Sequence, residues 1–151
     1  MRLEQTRVIL QQIQKFHEDM ALTYHNRSAA AESTRVRMLL DYLGGRHTDL
    51  AFGVANFQRH APNSALEAYT HFEHDIRDLR QRLRRALERT WDIDEITGIA
   101  MEVTDKFLDA FQRASGKAGD EALREVFQSL VAGTERERRK LARNANLLMG
   151  L

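Results

Sequence analysis

Apolar residues recur along this chain in steps of three and four, the period of helices that bury one face. From Leu3 to about Arg27 they fall at Val8, Ile9, Ile13, Phe16, Met20 and Tyr24, opposite Glu4, Arg7, Gln11, Lys15 and Glu18. Ala29, Ala30 and Ala31 end that helix or bridge a short turn. Ser33 or Thr34 is placed to cap a second helix carrying Val36, Leu39, Leu40, Leu43, Leu50, Val54 and Phe57. It must stop before Pro62, the only proline. Ser64-x-x-Glu67 is a capping-box pattern that predicts a further helical stretch through Glu67, His71, Glu73, His74 and Asp75. A second such pattern, Asp92-x-x-Glu95, opens a helix with Ile96, Ile99, Ala100, Val103, Phe107 and Phe111. Gly116 and Gly119 close it, and Asp120 caps a last helix with Leu123, Val126, Phe127, Leu130, Leu141 and Leu148. Four long helices with an inserted segment from 58 to 91 are predicted.

Composition narrows the class. With 42% apolar and 30% charged residues, the chain fits a soluble globular protein of one domain, 1–151. One proline and eight glycines leave little turn chemistry for a many-stranded sheet. No cysteine is present, which excludes disulfides, thiolate metal sites and cysteine nucleophiles. Charge is even, 23 basic against 22 acidic residues, and argues against a general nucleic-acid or membrane binder. The polar start carries no signal-peptide core, and no apolar run reaches the roughly 18–20 residues of a membrane span. A cytoplasmic location is the expectation. Nothing resembles a nucleophile–base pair or a glycine-rich phosphate loop, so no catalytic residue is assigned.

A repeat lies beneath the helix order. Shifting the chain by 87 positions without a gap sets Ile9 on Ile96, Phe16 on Val103, Met20 on Phe107, Tyr24 on Phe111 and Ser28 on Ser115. The same shift sets Val36 on Leu123, Leu40 on Phe127, Leu43 on Leu130 and Val54 on Leu141. Few pairs are identical, but one offset serves both helices and the turn between them, which favours duplication of a helical hairpin. The predicted architecture is all-α: a four-helix bundle with hairpin 1 at about 3–58, a helical crossover at about 59–92 and hairpin 2 at about 93–148.

Two hairpins joined by a long crossover, with segments such as TRVRMLLDYL (34–43) and EALREVFQSL (121–130), resemble the ferritin-like superfamily and its rubrerythrin-like branch. The resemblance covers Leu3 to about Phe57 and Ile93 to Leu148. It implies a di-iron or di-manganese centre built from one glutamate on each of the first and third helices and a Glu-x-x-His on each of the second and fourth. Placed on this chain, that pattern falls at His17 and Thr104, then at His47 and Leu50, and at Thr134 and Glu137. All four glutamate positions have changed, and Leu50 stands at one histidine position. The resemblance therefore implies a bundle whose dinuclear site is lost. What remains is a set of pocket candidates: His17, His47, Leu50, Thr104, Thr134 and Glu137.

No cofactor is expected. The alternative is a metalloprotein with a reduced or shifted site and redox or oxygen chemistry, one Fe, Mn or Zn ion on His17, His47 and Glu137. A one-residue slip would bring in Glu18 and Asp105, with Glu102 and Glu135 nearby, but it turns each side chain by about 100° toward solvent. Gly44-Gly45 and Ala132-Gly133 lie inside helices, where glycine is unfavourable by about 1 kcal/mol, and imply close packing or a small pocket. In the crossover, His71 and His74 at i, i+3 offer a weak zinc pattern. Residues 76–89 then set Ile76, Leu79, Leu83 and Leu87 on one side and Arg77, Arg80, Arg82, Arg84, Arg85 and Arg89 on the other. The stripe packs on the bundle or serves a second subunit, and a homodimer is the expected assembly. The arginine face offers a second alternative, nucleic-acid binding. The leading expectation is a non-enzymatic binding or structural bundle.

Overall fold

The computed structural model describes residues 2–149, with the side chains of all but Arg2, Ala145, Leu148 and Met149. The apolar line expected to reach Leu148 therefore runs outside the described residues at that position.

Each long helix of the two hairpins except the first starts where a polar side chain satisfies a free N–H group. Helix α1 (Thr6–Ala30) leads by a short turn into α2 (Thr34–His60), where Ser33 accepts from the Val36 N–H at 3.4 Å. Between the hairpins lie the short α3 (Asn63–Glu67) and α4 (Ile76–Glu88), which Asp75 caps at the Asp78 N–H. Asp92 caps α5 (Ile93–Gly116) through the Glu95 N–H at 2.9 Å, and Asp120 caps α6 (Glu121–Met149) through the Leu123 N–H at 2.8 Å. The class is all-α.

Both hairpins begin in register: Ile93 follows Thr6, and Glu121 follows Thr34, by the same 87 positions. Ile9/Ile96, Phe16/Val103, Met20/Phe107, Tyr24/Phe111, Val36/Leu123, Leu40/Phe127 and Val54/Leu141 are buried at both members. One continuous apolar cluster draws on α1 to α6.

Hydrogen bonds between elements fix the helix directions. His17 meets His47 and Ser28 meets Arg37, so α1 and α2 are antiparallel; Arg46 meets Glu137 and Tyr42 meets Asn144, so α2 and α6 are too. The crossover climbs beside α1 in α1's own direction, because Arg80 meets Asp19 at 2.6 Å and Arg27 reaches the Glu88 and Thr90 carbonyls. Arg27 also lies 3.4 Å above the Trp91 ring, a cation–π contact that holds the end of α4. Helices α2 and α5 consequently run the same way. The stripe Ile76, Leu79, Leu83 and Leu87 is buried within the chain, which removes it as a surface for a second subunit.

Three expectations need correction. Leu3 and Glu4 do not begin α1: Arg2–Gln5 is a strand, β1, paired antiparallel with β2 (Tyr69–Phe72), Leu3 opposite His71. The stretch through His71 is accordingly not helical. Its side chains alternate exposed and buried, with Thr70 and Phe72 inward, as a half-buried strand requires. Thr6 anchors this ladder: its N–H and hydroxyl both donate to the Ala68 carbonyl at 2.8 Å, and its hydroxyl lies 2.8 Å from that of Thr70. The Ser64–Glu67 capping box is not formed either, since α3 starts at Asn63 behind Pro62, without a side-chain cap. Among the described residues no helix is long and apolar enough to cross a membrane.

Candidate functional site

Helix periodicity turns His17 of α1 inward between Phe16 and Met20, and His47 of α2 inward beside Leu43. Their Nδ1 atoms lie 2.9 Å apart, and each residue is only 7% exposed. Two facing Nδ1 atoms share one proton, so one ring is the Nδ1–H tautomer and the other the Nε2–H tautomer. Burial holds His17 well below the ordinary imidazole range, and the neighbouring His47 adds to this. Burial, helped by the charge of Arg46, lowers His47 to about 4. Both rings are therefore neutral at physiological pH.

Aromatic rings enclose the pair. Phe16 meets His17 and His47 edge-on at 5.5 and 6.1 Å, Phe107 lies 5.6 Å from His17, and Tyr24 stacks on His47 at 5.4 Å. The Tyr24 hydroxyl is buried without a hydrogen-bond partner among the described residues, and burial raises its pKa.

On the α2–α6 side, Glu137 is 8% exposed, a position that a lone carboxylate could occupy only at high cost. Arg46 resolves this as a fork: Nε donates to Oε1 at 2.8 Å and Nη2 donates to Oε2. The hydrogen bond to Glu137 raises the Arg46 pKa, and Asp49 lies 3.2 Å from its Nη1. Thr104 and Thr134 are half-buried, and their hydroxyls donate to the Ala100 and Leu130 carbonyls one turn back, at 3.1 and 2.7 Å. Leu50 is half-buried and lines the same space.

The structure brings all six pocket candidates together: His17, His47, Leu50, Thr104, Thr134 and Glu137 line one cavity of about 60 Å³. A water molecule needs roughly 10–15 Å³ measured this way, so the space suits a few waters or one very small molecule. Arg46 shares the lining and was not legible from its own position. The signal for it was indirect: a glutamate on a buried helix face requires a cation, and Arg46 precedes His47 by one residue. Leu43, Val103, Phe107, Phe111 and Leu141 complete the apolar side.

The donors present do not fit the dinuclear centre that the resemblance implies. Leu50 has no donor atom, the two threonine hydroxyls are committed to their own helices, and both Glu137 oxygens are held by Arg46. Among the described residues, no group of three or more His, Asp or Glu side chains is arranged to hold a metal ion. The slipped set is on the surface: Glu18 is exposed, and Asp105 is exposed and bound by Arg138 at 2.6 Å. In the crossover, the strand sends His71 outward, while His74 lies in the following link 3.4 Å from Asp109, so the i, i+3 spacing puts the two on no common helix face.

The mid-helix glycines divide. At Gly44 an added Cβ would stand 2.7 Å from the His25 ring, so the small residue makes room for that imidazole. Among the described residues nothing lies within 4 Å of a Cβ added at Gly45, and at Gly133 only the Arg136 guanidinium approaches, at 3.7 Å. No protein-family model, curated protein or solved structure matches this chain.

Proposed function

We propose that this chain is a ferritin-like, rubrerythrin-like bundle that has exchanged a dinuclear metal centre for a self-satisfied polar core, and that it acts without catalysis. Its role is binding or structural, with the small central cavity as the place for a small neutral ligand. The connectivity supports this reading: two hairpins in one register 87 residues apart, with a crossover that makes the inner pair α2 and α5 parallel. The observation that carries it is the engagement of the would-be donors with one another or with a neighbouring cation, His17 with His47 and Glu137 with Arg46. A redox or oxygen reaction at His17, His47 and Glu137 would require both pairs to open first.

Metal analysis tests the reading. Protein purified from medium supplemented with iron, manganese and zinc is expected to carry far less than one ion per chain. A stoichiometric content would overturn it. Nucleic-acid binding is the second reading, and one observation favours it: Arg84 and Arg85 on α4 and Arg89 just after it are exposed with no ion-pair partner among the described residues. Affinity for duplex DNA that falls steeply with salt would support it, and no binding at low salt would remove it.

A further inference from the structure

The apolar stripe of α4 is spent inside the chain, but α2 turns apolar residues outward. Met38 and Phe52 are 47% and 71% exposed, although both are large and apolar. Met38, Gly45, Phe52 and Arg59 follow one another at intervals of seven, two helix turns each, so they form one line along the outer side of α2. The buried residues of the helix, among them Leu40, Leu43, His47 and Val54, lie opposite. Hairpin 2 has no such line. The 87-residue register sets Met38 on Glu125, Gly45 on Ala132 and Phe52 on Arg139, and Glu125 and Arg139 are exposed. Two hairpins with equivalent inner packing therefore differ outside: hairpin 2 shows charge at the positions where hairpin 1 shows apolar surface.

The line is symmetric about Gly45. One large apolar side chain stands two turns to each side, and Gly45 itself has no side chain to hold a neighbour away. The ends carry opposite charges. Arg59 lies in the last turn of α2, and Glu32 lies in the turn just before the helix. Both are exposed, with no ion-pair partner among the described residues. The carboxylates that flank the line have neighbours in their own chain: Asp49 is 3.2 Å from Arg46, and Asp41 is 3.7 Å from His25.

We propose that this face of α2 docks on the same face of a second copy of the chain, antiparallel, about a two-fold axis at Gly45. Such an axis makes the contact self-complementary. Met38 meets Phe52 of the partner subunit, Phe52 meets the partner's Met38, and the bare Gly45 lets the two backbones approach. Glu32 of each copy comes to Arg59 of the other, so two ion pairs close the ends of a contact about 40 Å long. Removal of Met38 and Phe52 from water supplies the attraction, and the paired ends set the antiparallel direction.

Sedimentation equilibrium of the full chain measures the association, and a reversible monomer–dimer equilibrium is expected. Phe52→Lys should weaken it about tenfold or more, while melting of the dilute protein stays within a few degrees of the parent. Two charge variants test the geometry. Glu32→Arg and Arg59→Glu each set like charges together at both ends and should each weaken self-association about tenfold. Mixed in equal amounts, the two variants should form a heterodimer of about parental affinity, because both ion pairs are then restored. A chain that stays monomeric at millimolar concentration would overturn the proposal, and so would a monomer whose Phe52 face takes up a different protein. Association untouched by Phe52→Lys, or no recovery on mixing the charge variants, would overturn it equally. None of Glu32, Met38, Phe52 and Arg59 lines the central cavity, so these results stand apart from the metal analysis.

Discussion

Acidification should destabilise this protein well above the pH at which its carboxylates titrate, because His17 and His47 are buried as neutral rings. His47 has a folded pKa of about 4 against an ordinary value of 6.5. The unfolded chain therefore binds more protons between those values, and stability is lost as pH falls from about 6.5 toward 4. Linkage for His47 alone gives a loss of about 2 kcal/mol between about pH 7.5 and about pH 5, and His17, shifted the same way, adds to it. For a chain of this length that corresponds to a fall in Tm of about 4–8 °C. Urea denaturation followed by circular dichroism across this window measures it directly. The control is the double variant His17→Phe/His47→Phe, which keeps aromatic bulk beside the cavity and removes both titrating rings. Its stability should be nearly flat over the window. A parent protein with no pH slope there, or a double variant that keeps the full slope, would refute the reasoning.

Three further outcomes follow from the same core. Arg46→Met strands a carboxylate that is only 8% exposed and should cost about 2–3 kcal/mol, whereas Glu137→Gln leaves Arg46 with solvent and Asp49 and should cost about 1 kcal/mol. The double variant Arg46→Met/Glu137→Leu should return to within about 1 kcal/mol of the parent, and chemical denaturation of all four proteins measures the differences. Tyr24→Phe removes a buried hydroxyl with no partner among the described residues and should stabilise by about 0.5–1 kcal/mol in a thermal melt. Gly45→Ala should stabilise α2 by about 1 kcal/mol, while Gly44→Ala, whose methyl meets the His25 ring at 2.7 Å, should gain less; thermal melts of the two variants decide it.

Most of the helical framework was legible because the relevant signals are local. Caps such as Asp92 and Asp120 and the three-four spacing of Ile9, Ile13, Phe16 and Met20 act within a turn or two. The six residues around the central cavity were reached by placing the ligand pattern of the resemblance on the chain, and the 87-residue register carries each position from one hairpin to the other. What escaped is defined by distant partners. Strand β1 exists because Thr6 meets Ala68 and Thr70, 62 and 64 residues away, and four residues are too few to announce a strand by alternation. Arg46 looks like any half-exposed helix cation until Glu137, 91 residues on, is placed against it.

The central claim is that the bundle centre is a neutral hydrogen-bonded core whose donors are already engaged. Imidazole 15N spectra of His17 and His47, recorded near neutral pH without and with one equivalent of zinc, test it most directly. The account predicts one Nδ1–H ring and one Nε2–H ring, neither moved by the metal. Two imidazolium rings, or a nitrogen shifted by stoichiometric zinc binding, would contradict it.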